Sequence, residues 1–309
     1  MSKNKKKASD IVFTAVLLLL MLIGIAVFLY PSFSSWWNER TQTRVIESYN
    51  KAVGELDTSE KDSILARAAE YNAALSALSD PLSDYEEIPD YDSILDITGT
   101  GIMGYIDIPK IGVHLPVYHG TSPEVLNVAV GHLQGSSLPI GGTGSHSVIS
   151  AHRGLPSAKL FTELDQLTED DRFSITILDE VLTYEIDQIS VVLPHERDLL
   201  RAEPDRDLVT LMTCTPYGIN THRLLVRGRR IDDIPEEENV RKVRIPADAV
   251  LVDETDSLLV ITVPLAILLI AFWLTGGRHR YKKHISEYSV MDITEINIKD
   301  GGKSDSQDK

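Results

Sequence analysis

The sequence predicts a mainly β protein: a small closed barrel of about eight strands with short helices, preceded by two helices and bracketed by one transmembrane helix at each end. Three observations carry this. Between residues 99 and 231, short β-branched and apolar runs alternate with Gly, Pro and Asp turns, the spacing of a small all-β barrel. Upstream, residues 38–79 carry apolar side chains at helical spacing. Uncharged runs occupy 11–30 and 258–274, each with Lys and Arg clustered on its outer flank.

Taken in order, residues 1–10 hold Lys3, Lys5, Lys6 and Lys7 and read as a basic cytoplasmic N-terminus. The run 11–30 has no charge, and a helix of that length rises ~30 Å, the thickness of the bilayer hydrocarbon. A cleaved signal peptide would have a shorter apolar core and small residues at its cleavage site. Here the run ends Phe28-Leu29-Tyr30-Pro31, and Trp36-Trp37 follow as an interfacial aromatic belt. It is read as an uncleaved anchor.

Residues 31–79 form the helical region. Val45, Ile46, Tyr49 and Val53 share one face, and Ser59 can cap a second helix carrying Ile64, Leu65, Ala68, Leu75 and Leu78. Residues 80–98 read by composition as an exposed acidic loop with two prolines.

Within 99–231, strands are predicted at 102–108, 115–118, 147–151, 172–178, 182–192, 208–213 and 223–229, with helical stretches at 123–129 and 160–167. Gly141-Gly142-Thr143-Gly144 lacks the Lys-Ser/Thr of a phosphate loop and is read as a turn. Residues 232–257 are an acidic linker. The run 258–274 is at the short end for a membrane span, and Pro264 inside it is tolerable there. Arg278, Arg280, Lys282 and Lys283 open a polar tail, 275–309. Basic outer flanks on both runs place both termini in the cytoplasm and 31–257 outside the plasma membrane.

The formal net charge of −16 argues against a nucleic-acid partner. Between the spans it is more negative still: 31–256 carries 19 Lys and Arg against 39 Asp and Glu, a net of −20. An acidic exported domain of this kind attracts cationic partners.

The chemistry centres on 208–230. Cys214 is the sole cysteine. A free cysteine is often a small buried hydrophobe, but this one stands where an apolar strand breaks into the turn Pro216-Tyr217-Gly218-Ile219-Asn220. Turns are where chemistry is exposed. Arg223 starts the next strand, nine residues on, and can face the thiol. A thiolate nucleophile needs a base or cation beside it. His152 repeats the geometry of Cys214: it leaves the apolar strand 147–151 and precedes Arg153-Gly154. His222 is the rival. If Arg223 faces the thiol, strand alternation turns His222 away. The same alternation points Arg153 away from the site, so it is read as structural.

Thr210-Leu211-Met212-Thr213-Cys214 followed by Arg223 resembles the active-site strand pair of the sortases, membrane-bound transpeptidases of Gram-positive bacteria. The run 213–223 resembles the class C, pilin-polymerising branch. So do Gly104-Tyr105-Ile106-Asp107-Ile108-Pro109-Lys110-Ile111, Gly131-His132-Leu133-Gln134-Gly135-Ser136-Ser137-Leu138-Pro139 and Ala151-His152-Arg153-Gly154-Leu155-Pro156 with Leu160-Phe161-Thr162. The resemblance implies a sortase-type barrel with Cys214, His152 and Arg223 as catalytic residues. It also implies an LPxTG-like sorting signal from a pilin or surface protein, and a receiving lysine on a neighbouring pilin. In that branch a lid carries an Asp-Pro-aromatic motif, with the Asp near the catalytic arginine and the ring over the cysteine. Asp80 and Pro81 match the first two positions; Leu82 departs from the third, which implies a weaker clamp. No cofactor or metal is called for.

Three other functions compete. A housekeeping sortase would attach surface proteins to peptidoglycan by the same chemistry. A cysteine-protease-like hydrolase would end on water, but papain-like enzymes place the cysteine before the histidine. A two-span surface assembly scaffold would carry an inert thiol.

Overall fold

The structure is a computed structural model that describes residues 2–155 and 158–231. The predicted linker 232–257, second membrane helix 258–274 and tail 275–309 lie outside the described residues.

The chain enters as one helix, α1 (Ser2–Glu55), which runs straight through Pro31. The apolar run 11–30 and the helical face at Val45–Val53, read from the sequence as separate segments, are therefore one continuous helix. Among the described residues it is the helix long and apolar enough to cross a membrane, and its apolar window is not buried against protein. Phe33, Trp36 and Trp37 follow with their rings 6.0–6.4 Å apart and largely exposed. Farther along, Tyr49 and Val53 leave that environment and enter the core. The Tyr49 hydroxyl donates to the Met103 carbonyl and accepts from the Leu178 amide, both at 2.8 Å.

The second helix, α2 (Thr58–Ser76), is capped by Asp57, not Ser59. Asp57 accepts from the Glu60 amide at 2.8 Å while the Glu60 carboxylate takes the Asp57 amide at 2.9 Å, a reciprocal capping box that leaves Ser59 already inside the first turn. Tyr71 and Leu75 turn inward with the barrel core.

The segment after α2 is more ordered than a linker. It holds a four-residue helix, α3 (Pro81–Asp84), and short helical turns at Tyr85–Glu87 and Tyr91–Ser93. Tyr91, Ile94 and Leu95 are buried.

Eight strands follow: β1 (Ile102–Ile108), β2 (Val113–His119), β3 (Val130–His132), β4 (Ser145–Ser150), β5 (Arg172–Ile177), β6 (Glu180–Val192), β7 (Asp207–Thr215) and β8 (His222–Arg230). They close in the order β1-β2-β3-β4-β7-β8-β6-β5. The pairs β2–β3 and β4–β7 are parallel; the others are antiparallel. The three-residue β3 escaped the sequence reading, because Val130-Gly131-His132 is too short to show a period. The helix expected at 160–167 is a series of turns with one short helical turn, Leu164–Gln166. Phe161, Leu164 and Leu167 are all buried; tertiary packing, not helical periodicity, explains that apolar spacing.

The crossover from β4 to β7 matters most for the site. It brings a strand ending near residue 150 alongside one ending at 215, with β8 on the other flank. The end of β4 thus meets the β7–β8 hairpin, about sixty residues further along the chain, at one rim.

Candidate active site

Cys214 lies inside β7, one residue before its end, because the ladder with β8 carries the strand past Thr213. In that ladder Cys214 pairs with Arg223 and Thr215 with His222. Directly opposed residues on antiparallel strands share a face, with Cβ atoms about 4.5–5.5 Å apart. Arg223 therefore shares the thiol's face and His222, one residue away, takes the other. Thr213 points into the barrel and is buried, while Cys214 and Arg223 are half-exposed.

His152 reaches the rim from β4. The last β4–β7 pair is Ser150 with Met212. Contact then continues: the Ala151 amide donates to the Met212 carbonyl at 3.1 Å, and the Thr213 hydroxyl donates to the Ala151 carbonyl at 2.8 Å. One more step along the parallel register brings His152 level with Cys214. The chain then leaves the sheet, and the Phe161 amide returns to the His152 carbonyl at 3.3 Å. The structure thus brings Cys214, His152 and Arg223 to one end of β4, β7 and β8. Arg223 rests one guanidinium nitrogen on the carbonyls of its own turn, 3.3 Å from Asn220 and 3.1 Å from His222.

Arg153 does not point away. Strand alternation stops at Ala151, and the side chain turns back toward Asp165, Thr215 and Tyr217.

Two residues from the Cys214–Arg223 pair, on the same face, Met212 pairs with Leu225. They form a small apolar floor with Val148, Leu200, Leu133 and Val192, and Leu82 packs on it. Leu82 thus seats on this floor, beside Met212, which lies two residues before Cys214 in β7. Gly135 makes room: a Cβ there would lie 2.7 Å from the Pro81 carbonyl oxygen and 3.0 Å from the Leu82 Cα. The carboxylate of Asp80 pairs with Arg197 at 3.4 Å and accepts from the Ser83 hydroxyl at 2.8 Å. Arg197 also donates to the Leu82 carbonyl and the Ser83 hydroxyl. The expected partner, Arg223, is a correction: the β6–β7 connection supplies the arginine that meets Asp80. No motif in the sequence marks Arg197; its role follows from where that connection crosses the barrel.

The far end of this segment is held differently. The buried Tyr91 hydroxyl lies 2.8 Å from Nδ1 of His132 and accepts from the Gly120 amide. Burial pushes His132 down to about 4, the hydrogen bond to the Ser137 carbonyl opposing it.

Comparison with known proteins agrees with this geometry. The sortase-domain family model matches residues 106–231. Sortase C1 from Streptococcus agalactiae is 46% identical, with a TM-score of 0.56, over 62% of this chain and 100% of that one. A pilus-related sortase C of Group B Streptococcus is 42% identical over 60% of this chain and 96% of that one, TM-score 0.55. Sortase D of Bacillus subtilis is 27% identical over 41% of this chain and 63% of its own length, so the match spans less than two thirds of that curated relative. The chain belongs to the sortase family, a family of cysteine transpeptidases, and within it groups with the class C, pilin-type enzymes.

Proposed function

We propose that the chain is a membrane-anchored class C sortase that cleaves an LPxTG-like sorting signal and joins it to a lysine of a neighbouring pilin. The observation that supports this reading best is the register itself, Cys214 opposite Arg223 with His152 two residues past the last β4–β7 pair. Cys214, as thiolate, attacks the Thr–Gly carbonyl. Arg223 donates to the tetrahedral oxyanion. His152, as imidazolium, protonates the departing glycine amine, leaving a thioester on Cys214. The lysine amine then attacks the thioester, loses a proton to His152 and restores the thiolate, forming an isopeptide bond. Asp80, Pro81 and Leu82 act as a lid over the floor beside the thiol. The α1 anchor and the 258–274 run hold both termini in the cytoplasm and the barrel outside.

Mass spectrometry of products after mixing the purified protein with candidate pilins tests this. An isopeptide-linked ladder supports the proposal. A peptidoglycan-linked product selects the housekeeping reading, and hydrolysis alone selects the hydrolase. A thiol that alkylates slowly, at a rate unaffected by His152→Ala, selects the scaffold.

A further inference from the structure

The residue after the candidate general acid has its own architecture. The Arg153 side chain is only 9% exposed, and its Nη2 lies 2.5 Å from the Asp165 carboxylate. Its Nη1 lies 3.4 Å from the hydroxyl of Thr215, the residue after Cys214. Its guanidinium carbon stands 5.8 Å from the centre of the Tyr217 ring. Among the described residues, its buried Nε has no hydrogen-bond partner. Gly154 completes the contact. With φ at +77°, a Cβ there would stand 2.8 Å from a Tyr217 ring carbon, so glycine lets the ring lie against the backbone just past His152. Asp165 is itself anchored, since it sits in the turn Leu164–Gln166 with Leu164 fully buried.

The two residues after His152 therefore grip the first and third residues after Cys214. A solvent-facing arginine would not be enclosed this way. Taking a guanidinium out of water is costly unless its partners are fixed; here Asp165 is held by its turn, and Thr215 and Tyr217 directly follow the thiol in the chain.

We propose that Arg153 is a positioning residue whose clasp on Asp165, Thr215 and Tyr217 sets the placement of His152 against Cys214. This rests on the reading of Cys214 and His152 as nucleophile and acid. Arg153 touches no reacting atom; it acts through the loop that carries His152.

The test uses the full chain in detergent, with two readouts: kcat and KM for transfer of a Leu-Pro-x-Thr-Gly peptide, and the pH profile of Cys214 alkylation by iodoacetamide. Arg153→Ala is expected to lower kcat about tenfold to a hundredfold, the range a misplacement near 1 Å produces, with KM little changed. The alkylation profile should move to higher pH as the thiolate loses its imidazolium. Arg153→Lys should restore part of both, and Asp165→Asn should shift both in the same direction but less. In a His152→Ala background, Arg153→Ala should leave the alkylation profile where His152→Ala alone puts it. An unchanged kcat and profile in Arg153→Ala, or an Arg153 effect that persists without His152, overturns the proposal. If Arg153→Ala does not fold, Arg153→Lys and the half-exposed Asp165→Asn decide, and wild-type profiles in both overturn it. The catalytic reading fails separately, through His152→Ala or Cys214→Ala with normal turnover.

Discussion

The strand pair that carries the thiol and the segment 80–98 are held by different forces. Cys214 and Arg223 face each other across a continuous backbone ladder of eight pairs, and Thr213 beside them is buried and tied to β4. The lid tip has no ladder. It rests on a four-residue helix, an ion pair whose side chains are 34% and 45% exposed, and one leucine on a small apolar floor. Its root is different again, with Tyr91, Ile94 and Leu95 in the core. Regions with few buried contacts open at low free-energy cost. On the proposed lid reading, the site is a rigid rim under a tip that can lift while its root stays seated.

The largest expected effect is on the rigid side. Arg223→Ala should lose on the order of 10²–10³ in transfer rate, as on removal of an oxyanion donor. Cys214→Ala should abolish transfer and thioester capture. Steady-state assays check both, and near-normal turnover would break the assignment of the rim.

Acid should loosen the lid root next. His132 is fully buried, with its folded value lowered to about 4 from 6.5. Its neutral form is the folded one, so its contribution is fully present above pH 6.5 and is lost as pH falls from 6.5 toward 4. The amount is on the order of 3 kcal/mol, at 1.36 kcal/mol per unit. Melting temperatures across that window should fall, and a His132→Gln variant should flatten the slope. Equal slopes in the two proteins would remove His132 from the account.

Smaller effects belong to the tip. Leu82→Ala removes a half-buried side chain from the floor, costing about 1–2 kcal/mol, below the range for fully buried leucines. It should raise the Cys214 alkylation rate roughly five- to thirtyfold, at tenfold per 1.4 kcal/mol, and Leu82→Trp should lower it. Asp80→Ala and Arg197→Ala break an exposed pair worth about 0–1 kcal/mol. Each should raise alkylation less than about fivefold, and the double variant should do no more than either alone. Additive effects would mean that Asp80 and Arg197 do not hold the tip through each other. No change in any of these variants would mean that the tip around Leu82 does not act as a lid.

Much of the barrel was legible because its strands announce themselves locally. Strand 102–108 was placed to the residue, and 172–178 and 182–192 to within two. Cys214 and Arg223 were legible too, since a hairpin with a short turn fixes which residues oppose each other. The short β3 and the turns at 160–167 were not, because neither has a period that distinguishes strand, helix and packed loop. Ser59 was read as the cap, but Asp57, Thr58 and Ser59 are all residue types that cap helices, and the reciprocal bonds choose Asp57.

By itself the sequence determined the alternation that puts Cys214 and Arg223 on one face, the apolar run in α1 and the family to which the barrel belongs. These depend on neighbours in the chain or on composition. The tertiary structure alone decided that Asp80 meets Arg197, that Leu82 sits on the Met212–Leu225 floor, and that Arg153 turns back onto Thr215 and Tyr217. Those contacts join residues tens of positions apart across the β4–β7 crossover and the β6–β7 connection. Side-chain type states what a residue can bind, but which partner lies within reach is set by how the closed barrel brings its connections together.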